Sequence, residues 1–129
     1  MNLPYVLSGR VEAGNHLGNT VGMPTANITP LEDVSMLEKG VYYSDVLIGE
    51  KTFHAITNLG TKPTVNSTDT LNVESFIYDF DGDIYGEDIT VRLLEFKRPE
   101  MRFPSFDMLA KQMEDDIEKG REFHKNRIG

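Results

Sequence analysis

The chain has 129 residues and no cysteine, and its 13 Lys and Arg against 21 Asp and Glu leave a formal net charge of −8 at pH 7. The missing cysteines exclude disulfides, thiolate metal sites and cysteine nucleophiles, and the acidic balance argues against nucleic acid or an anionic membrane as partner, since both need a basic face. The length suits one domain over residues 1–129, no run approaches the ~18 apolar residues of a membrane span, and Met1–Tyr5 lacks the basic and apolar regions of a signal peptide, so a cytoplasmic monomer is expected.

Alternating apolar and polar residues dominate the chain up to Pro104, which predicts strands. Tyr5–Glu12 reads as the first, followed by a long loop punctuated by Gly9, Gly14, Gly18 and Gly22. Val41–Ile48 and Thr52–Leu59 flank Gly49-Glu50-Lys51 as a hairpin. Leu71–Phe80 and Ile89–Phe96 are expected to form a second hairpin around Asp81-Gly82-Asp83, whose Asp-Gly pair readily adopts positive φ. Closing such strands into a small barrel, fully or partly, would hide their edges. From Ser105 to about Asn126, Phe106, Leu109, Met113 and Ile117 recur at helical spacing, with Ser105 as N-cap and Asp107 in the first turn. This predicts one amphipathic helix covering a barrel opening, weakened at Gly120 by about 1 kcal/mol.

Chemistry-bearing residues cluster in three places. Met23-Pro24-Thr25-Ala26-Asn27 follows the glycine run, so loop amides would curl around an anion while Thr25 and Asn27 present neutral oxygens suited to Mg²⁺ and phosphate; an ordinary turn has the same composition. No P-loop or Rossmann fingerprint is present. In Leu71–Phe80, alternation puts Asn72, Glu74, Phe76, Tyr78 and Phe80 on one face, which makes Glu74 either a carboxylate among aromatics, suited to general-base work, or an exposed edge residue. Arg98, Glu100, Arg102 and Phe103 lie between the last strand and the helix, where they would clamp a flat ligand or form a surface turn. Asp79, Asp81 and Asp83 miss the glycine and glutamate of an EF-hand, and His16, His54 and His124 are too far apart in sequence to suggest zinc.

The run Gly9-x-Val11-x-x-Gly14-x-x-x-Gly18-x-x-x-Gly22-x-Pro24-Thr25-Ala26-Asn27 resembles the opening of the riboflavin kinase family, including the kinase module of bifunctional bacterial riboflavin kinase/FAD synthetases. Gly40-Val41-Tyr42-Tyr43, Asn58-Leu59-Gly60-Thr61-Lys62-Pro63-Thr64, Val73-Glu74, Asp79-Phe80, Ile84-Tyr85-Gly86 and Arg98-Pro99-Glu100 with Phe103 follow in the family's order. The resemblance runs from about Tyr5 to about Glu122.

What it implies is a mainly β fold, a six-stranded antiparallel Greek-key barrel with a C-terminal helix, that transfers the ATP γ-phosphoryl group to the 5′-hydroxyl of riboflavin, giving FMN and ADP. By the resemblance Glu74 is the catalytic base, Gly14, Thr25 and Asn27 bind the nucleotide, Thr25 and Asn27 hold Mg²⁺, and Arg98 and Phe103 contact the flavin. Riboflavin is then substrate and FMN product. No adenylyltransferase domain is expected within the chain. Asn19 stands where the family usually has a basic residue, which leaves open a non-catalytic flavin- or nucleotide-binding module on the same barrel.

Overall fold

The alternating segments form β1 (Tyr5–Arg10), β2 (Thr25–Ile28), β3 (Gly40–Ile48), β4 (Lys51–Lys62), β5 (Thr70–Ile77) and β6 (Asp88–Pro99), followed by the helix α1 (Phe106–Lys125). The computed structural model describes residues 3–12, 23–62 and 70–127, with the side chains of residues 61, 62 and 70 excepted. All neighbouring strands are antiparallel, in the order β1-β6-β3-β4-β5-β2. The sheet rolls until its two edges meet. Glu12 bridges to Asn27, and the Leu31 N–H donates to the Ser8 carbonyl at 3.0 Å. A Cβ on Gly9 would lie 3.0 Å from Ile28 Cβ and from the Thr29 carbonyl, so glycine permits that crossing. The expected six-stranded antiparallel barrel with its C-terminal helix is therefore observed, as a partly closed one.

The period of two gives β3, β4 and β5 two distinct faces. Tyr42, Val46, Ala55, Leu59, Val73 and Ile77 join Leu7, Ile28, Val91 and Leu93 in the main core. Fully burying each large apolar side chain contributes about 1.5–3 kcal/mol. Between them runs a buried line of hydroxyls, Ser44 Oγ to Thr57 Oγ1 at 2.7 Å and Thr57 Oγ1 to Ser75 Oγ at 2.8 Å. The opposite face carries Ile56, Phe76 and Tyr78, which pack with Met113, Leu109 and Ile117 of α1. The helix thus lies on the outer face of the sheet, not over an opening as its amphipathic pattern suggested.

Of the two expected hairpins, one forms. β3 and β4 form the predicted hairpin, with Ile48 opposite Lys51 and Gly49 at φ 61°. β5 and β6, however, do not pair; β5 lies between β4 and β2, and β6 between β1 and β3. β5 stops at Ile77, because Asp79 takes φ 55° and Gly82 and Gly86 take φ 141° and 84°, so the chain turns away from the strand line.

The helix matches its predicted ends. Ser105 caps it by accepting the Met108 N–H, and Asn126 closes it. Gly120 does not interrupt it. A Cβ there would overlap Tyr78 Oη and sit 2.6 Å from Ile56 Cγ2, so this glycine lets the helix approach the sheet closely.

Candidate functional site

Strand register assembles the site. Asn27 of β2 is opposite Glu74 of β5, Glu74 opposite Asn58 of β4, Asn58 opposite Val41 of β3, and Val41 opposite Arg98 of β6. These five residues form one row across the sheet on the face that looks toward α1. Thr25, two residues before Asn27 and opposite Phe76, shares that face. Between sheet and helix lies a cavity of about 530 Å³, and Glu74, Asn58, Phe76, Arg98, Phe103 and Asp116 are among the residues in its wall. That volume falls within the range of small-molecule sites.

At one end of the row, Glu74 and Asn27 are buried, at 2% and 4% exposure, so Glu74 is the enclosed carboxylate of the two sequence alternatives. Asn27 Oδ1 accepts from Asn72 Nδ2 at 3.3 Å. An amide oxygen has a second lone pair, so Asn27 can still offer one to a cation. At the other end, Arg98 donates through Nε and Nη2 to Asp116 Oδ1 and Oδ2 at 2.9 and 2.6 Å, and through Nη1 to the Pro99 carbonyl at 3.1 Å. Asp116 also accepts from Lys97 Nζ at 2.9 Å and Gln112 Nε2 at 3.1 Å. Burial pushes the Asp116 carboxyl up, but the hydrogen bonds from Arg98 and Lys97 outweigh it and hold the group below its ordinary value.

Adjacent strand residues normally face opposite ways, yet Lys97 and Arg98 both reach the helix. The cause is a bulge: Val41 pairs with Arg98 but Tyr42 with Phe96, which leaves Lys97 without a register partner on β3. Gly40 helps, since a Cβ there would overlap the Arg98 carbonyl and lie 2.9 Å from Pro99 Cα.

The sequence places Arg98 in a loop, whereas β6 runs on to Pro99. Of the expected site residues, Glu74, Arg98 and Phe103 meet in the cavity wall, and Thr25 and Asn27 flank it on the same sheet face. Gly14, like His16 and Asn19, lies outside the described residues. Two histidines distant in sequence are brought together by the fold. His54 and His124 stack with ring centroids 4.3 Å apart, and together with Asp45 they bring three metal-ligating groups within 4.8 Å of one another. Arg127 Nη1 already fills that spot, donating to Asp45 Oδ1 at 2.7 Å and to His124 Nδ1 at 3.0 Å.

The family model for riboflavin kinase (Flavokinase) matches residues 1–124. The chain belongs to the riboflavin kinase family. A bifunctional riboflavin kinase/FMN adenylyltransferase of Haemophilus influenzae is 41% identical over 121 residues, 93% of this chain and 39% of that protein. The chain therefore spans about two fifths of the length of that relative. Among solved structures, a Streptococcus pneumoniae chain named a macrolide-efflux protein superposes with a TM-score of 0.79 at 36% identity, over 92% of this chain and 38% of that one. Riboflavin kinase from Trypanosoma brucei superposes with a TM-score of 0.66 at 22% identity, over 95% and 81%, which shows the shared fold. Among the described residues no helix is long and apolar enough to cross a membrane.

Two wall residues are not singled out by the sequence. Asn58 was seen only as part of a motif, because its place in the row depends on long-range register. Asp116 had a visible signal: it lies within the buried stripe Met113, Asp116, Gly120 and His124, where an acid needs a partner.

Proposed function

We propose that the domain phosphorylates riboflavin at its 5′-hydroxyl, using ATP and forming FMN and ADP. The observation that carries this reading is the row from Asn27 and Glu74 to Arg98. Three strand-to-strand steps separate Glu74 from Arg98, roughly 14 Å along the sheet. That spacing suits an elongated substrate with a flat tricyclic ring at the Arg98 end and a polyol reaching Glu74. Phe103 and Met113 supply apolar wall for the ring, while Phe76, on the strand of Glu74, and Asn58 lie where the polyol would pass.

In this mechanism Glu74 accepts the proton of the 5′-hydroxyl as that oxygen attacks the γ-phosphorus, and the bond to the β-phosphate oxygen breaks to release ADP. Thr25 Oγ1 and Asn27 Oδ1 are two neutral oxygens on one face beside Glu74, a donor set that fits Mg²⁺, which takes oxygen ligands and keeps waters and substrate phosphates for the rest. When bound, Mg²⁺ would neutralise phosphate charge that this acidic chain does not offset. Gly14 is proposed as a further nucleotide contact.

The experiment is incubation with riboflavin, ATP and Mg²⁺, followed by chromatographic separation of flavins. FMN formation above a protein-free control supports the proposal. Flavin binding without FMN, across several divalent metals, would replace it with a non-catalytic flavin-binding module.

A further inference from the structure

Arg98 is the cationic group in the cavity wall, yet both atoms of its side edge are spent on Asp116 and Nη1 donates to Pro99. A guanidinium carries five N–H donors, so one on Nη1 and one on Nη2 remain. The guanidinium is held in a single plane by a bidentate pair whose acid comes from the middle of α1, while Arg98 itself comes from the end of β6. Asp116 is buried, its side chain 4% exposed against 16% for Arg98. Lys97 and Gln112 complete its shell, so all four hydrogen bonds fix the carboxylate in place.

We infer that Asp116 is the positioning residue for riboflavin: it orients the Arg98 guanidinium so that its two remaining donors serve the ring end of the cavity, and it ties that end to the docking of α1. The assignment rests on the riboflavin reading for the identity of the ring, but not on phosphoryl transfer. Without the carboxylate, Arg98 keeps its charge and loses its orientation, and Glu100, two residues on, is the carboxylate of the cavity wall toward which it can turn. Bidentate geometry is lost even when an amide of equal size replaces the acid. Ring affinity should then fall while chemistry at the far end of the row continues.

The test uses Asp116→Asn, Asp116→Glu, Arg98→Ala and the double variant Arg98→Ala/Asp116→Asn. Riboflavin Kd is read from flavin fluorescence, alongside Tm and steady-state KM and kcat. Residues in one hydrogen-bonded pair couple by amounts corresponding to severalfold up to a hundredfold, so Asp116→Asn should weaken riboflavin about tenfold. The KM for ATP and kcat should stay within about twofold, Asp116→Glu should recover part of the affinity, and Asp116→Asn should have no added effect in the Arg98→Ala background. Unchanged riboflavin affinity in Asp116→Asn would overturn the assignment. So would an equal loss in both backgrounds, or a loss shared by ATP and accompanied by a large fall in Tm, because these mark a purely structural role. If the wild-type chain bound riboflavin but made no FMN, the proposed function would fail while the Kd comparison still decided the role of Asp116.

Discussion

Gly120→Ala tests how closely α1 must approach the sheet. In an exposed helix this change stabilises by about 1 kcal/mol, because alanine is the better helix former. Here the added methyl overlaps Tyr78 Oη and lies 2.6 Å from Ile56 Cγ2. Tyr78 cannot simply swing aside, since its hydroxyl donates to the Ile117 carbonyl at 2.6 Å and its ring is buried. Overpacking costs about 1–3 kcal/mol, and a lost buried hydrogen bond about 1–3 kcal/mol more. Setting the propensity gain against these leaves a net destabilisation of about 1–5 kcal/mol. For a domain of this size each kcal/mol moves Tm by roughly 3–5 °C. Urea denaturation at pH 7 checks the value. Gly120→Ala/Tyr78→Phe removes the overlapping oxygen but leaves Ile56 in place, so it should recover part of the loss. A Gly120→Ala chain as stable as the wild type, or more stable, would refute the close contact between α1 and β4–β5.

The far end of α1 predicts an acid-sensitive anchor. His124 Nε2 donates to the Ala55 carbonyl at 2.9 Å and Nδ1 accepts from Arg127. Burial holds His124 below the usual histidine range, with His54 and Arg127 adding to the effect and the Ala55 carbonyl and Asp45 opposing it. The imidazole is thus neutral in the fold, so stability is full above about pH 6.5 and declines as the pH falls below it. Asp45, held below its ordinary value by Arg127 against the effect of burial, loses its contribution only at far lower pH. Urea midpoints at pH 7.5 and 5.5 should differ for the wild type and converge for His124→Gln; an equal difference in both would rule out His124. At the proposed metal site, Thr25→Val and Asn27→Leu each remove an oxygen donor, so each should raise the Mg²⁺ requirement and weaken ATP more than riboflavin by calorimetry. Equal weakening of both ligands would indicate a folding defect.

The sequence showed most of what depends on local pattern. The β3–β4 hairpin followed from alternation and Gly49, and the helix followed from its spacing, with Ser105 and Asn126 at its ends. What it hid depends on contacts between distant segments. The glycine at position 120 looked like a weak point because helix propensity is local, whereas its use is a contact with Tyr78, 42 residues earlier in the sequence. Asp-Gly at 81–82 suggested a hairpin, but the positive φ values serve a crossover, since β5 is already paired on both sides. Within the site, the neighbours of Glu74 left it either enclosed or exposed, and only its motif marked it as a candidate base. Its alignment with Asn27, Asn58 and Arg98 was not legible, because register across five strands is set by the whole sheet. The bulge at Lys97 hid the Arg98–Asp116 pair in the same way.

On the proposed reading, Glu74 deprotonates the 5′-hydroxyl of a riboflavin lying along the row. The most direct test is single-turnover FMN formation by wild type and Glu74→Gln, with riboflavin and ATP affinities measured on the same preparations. Both ligands should still bind, and the rate should fall ~10²–10⁴-fold, as expected for loss of a positioned general base. A rate within about threefold of wild type would contradict that role for Glu74.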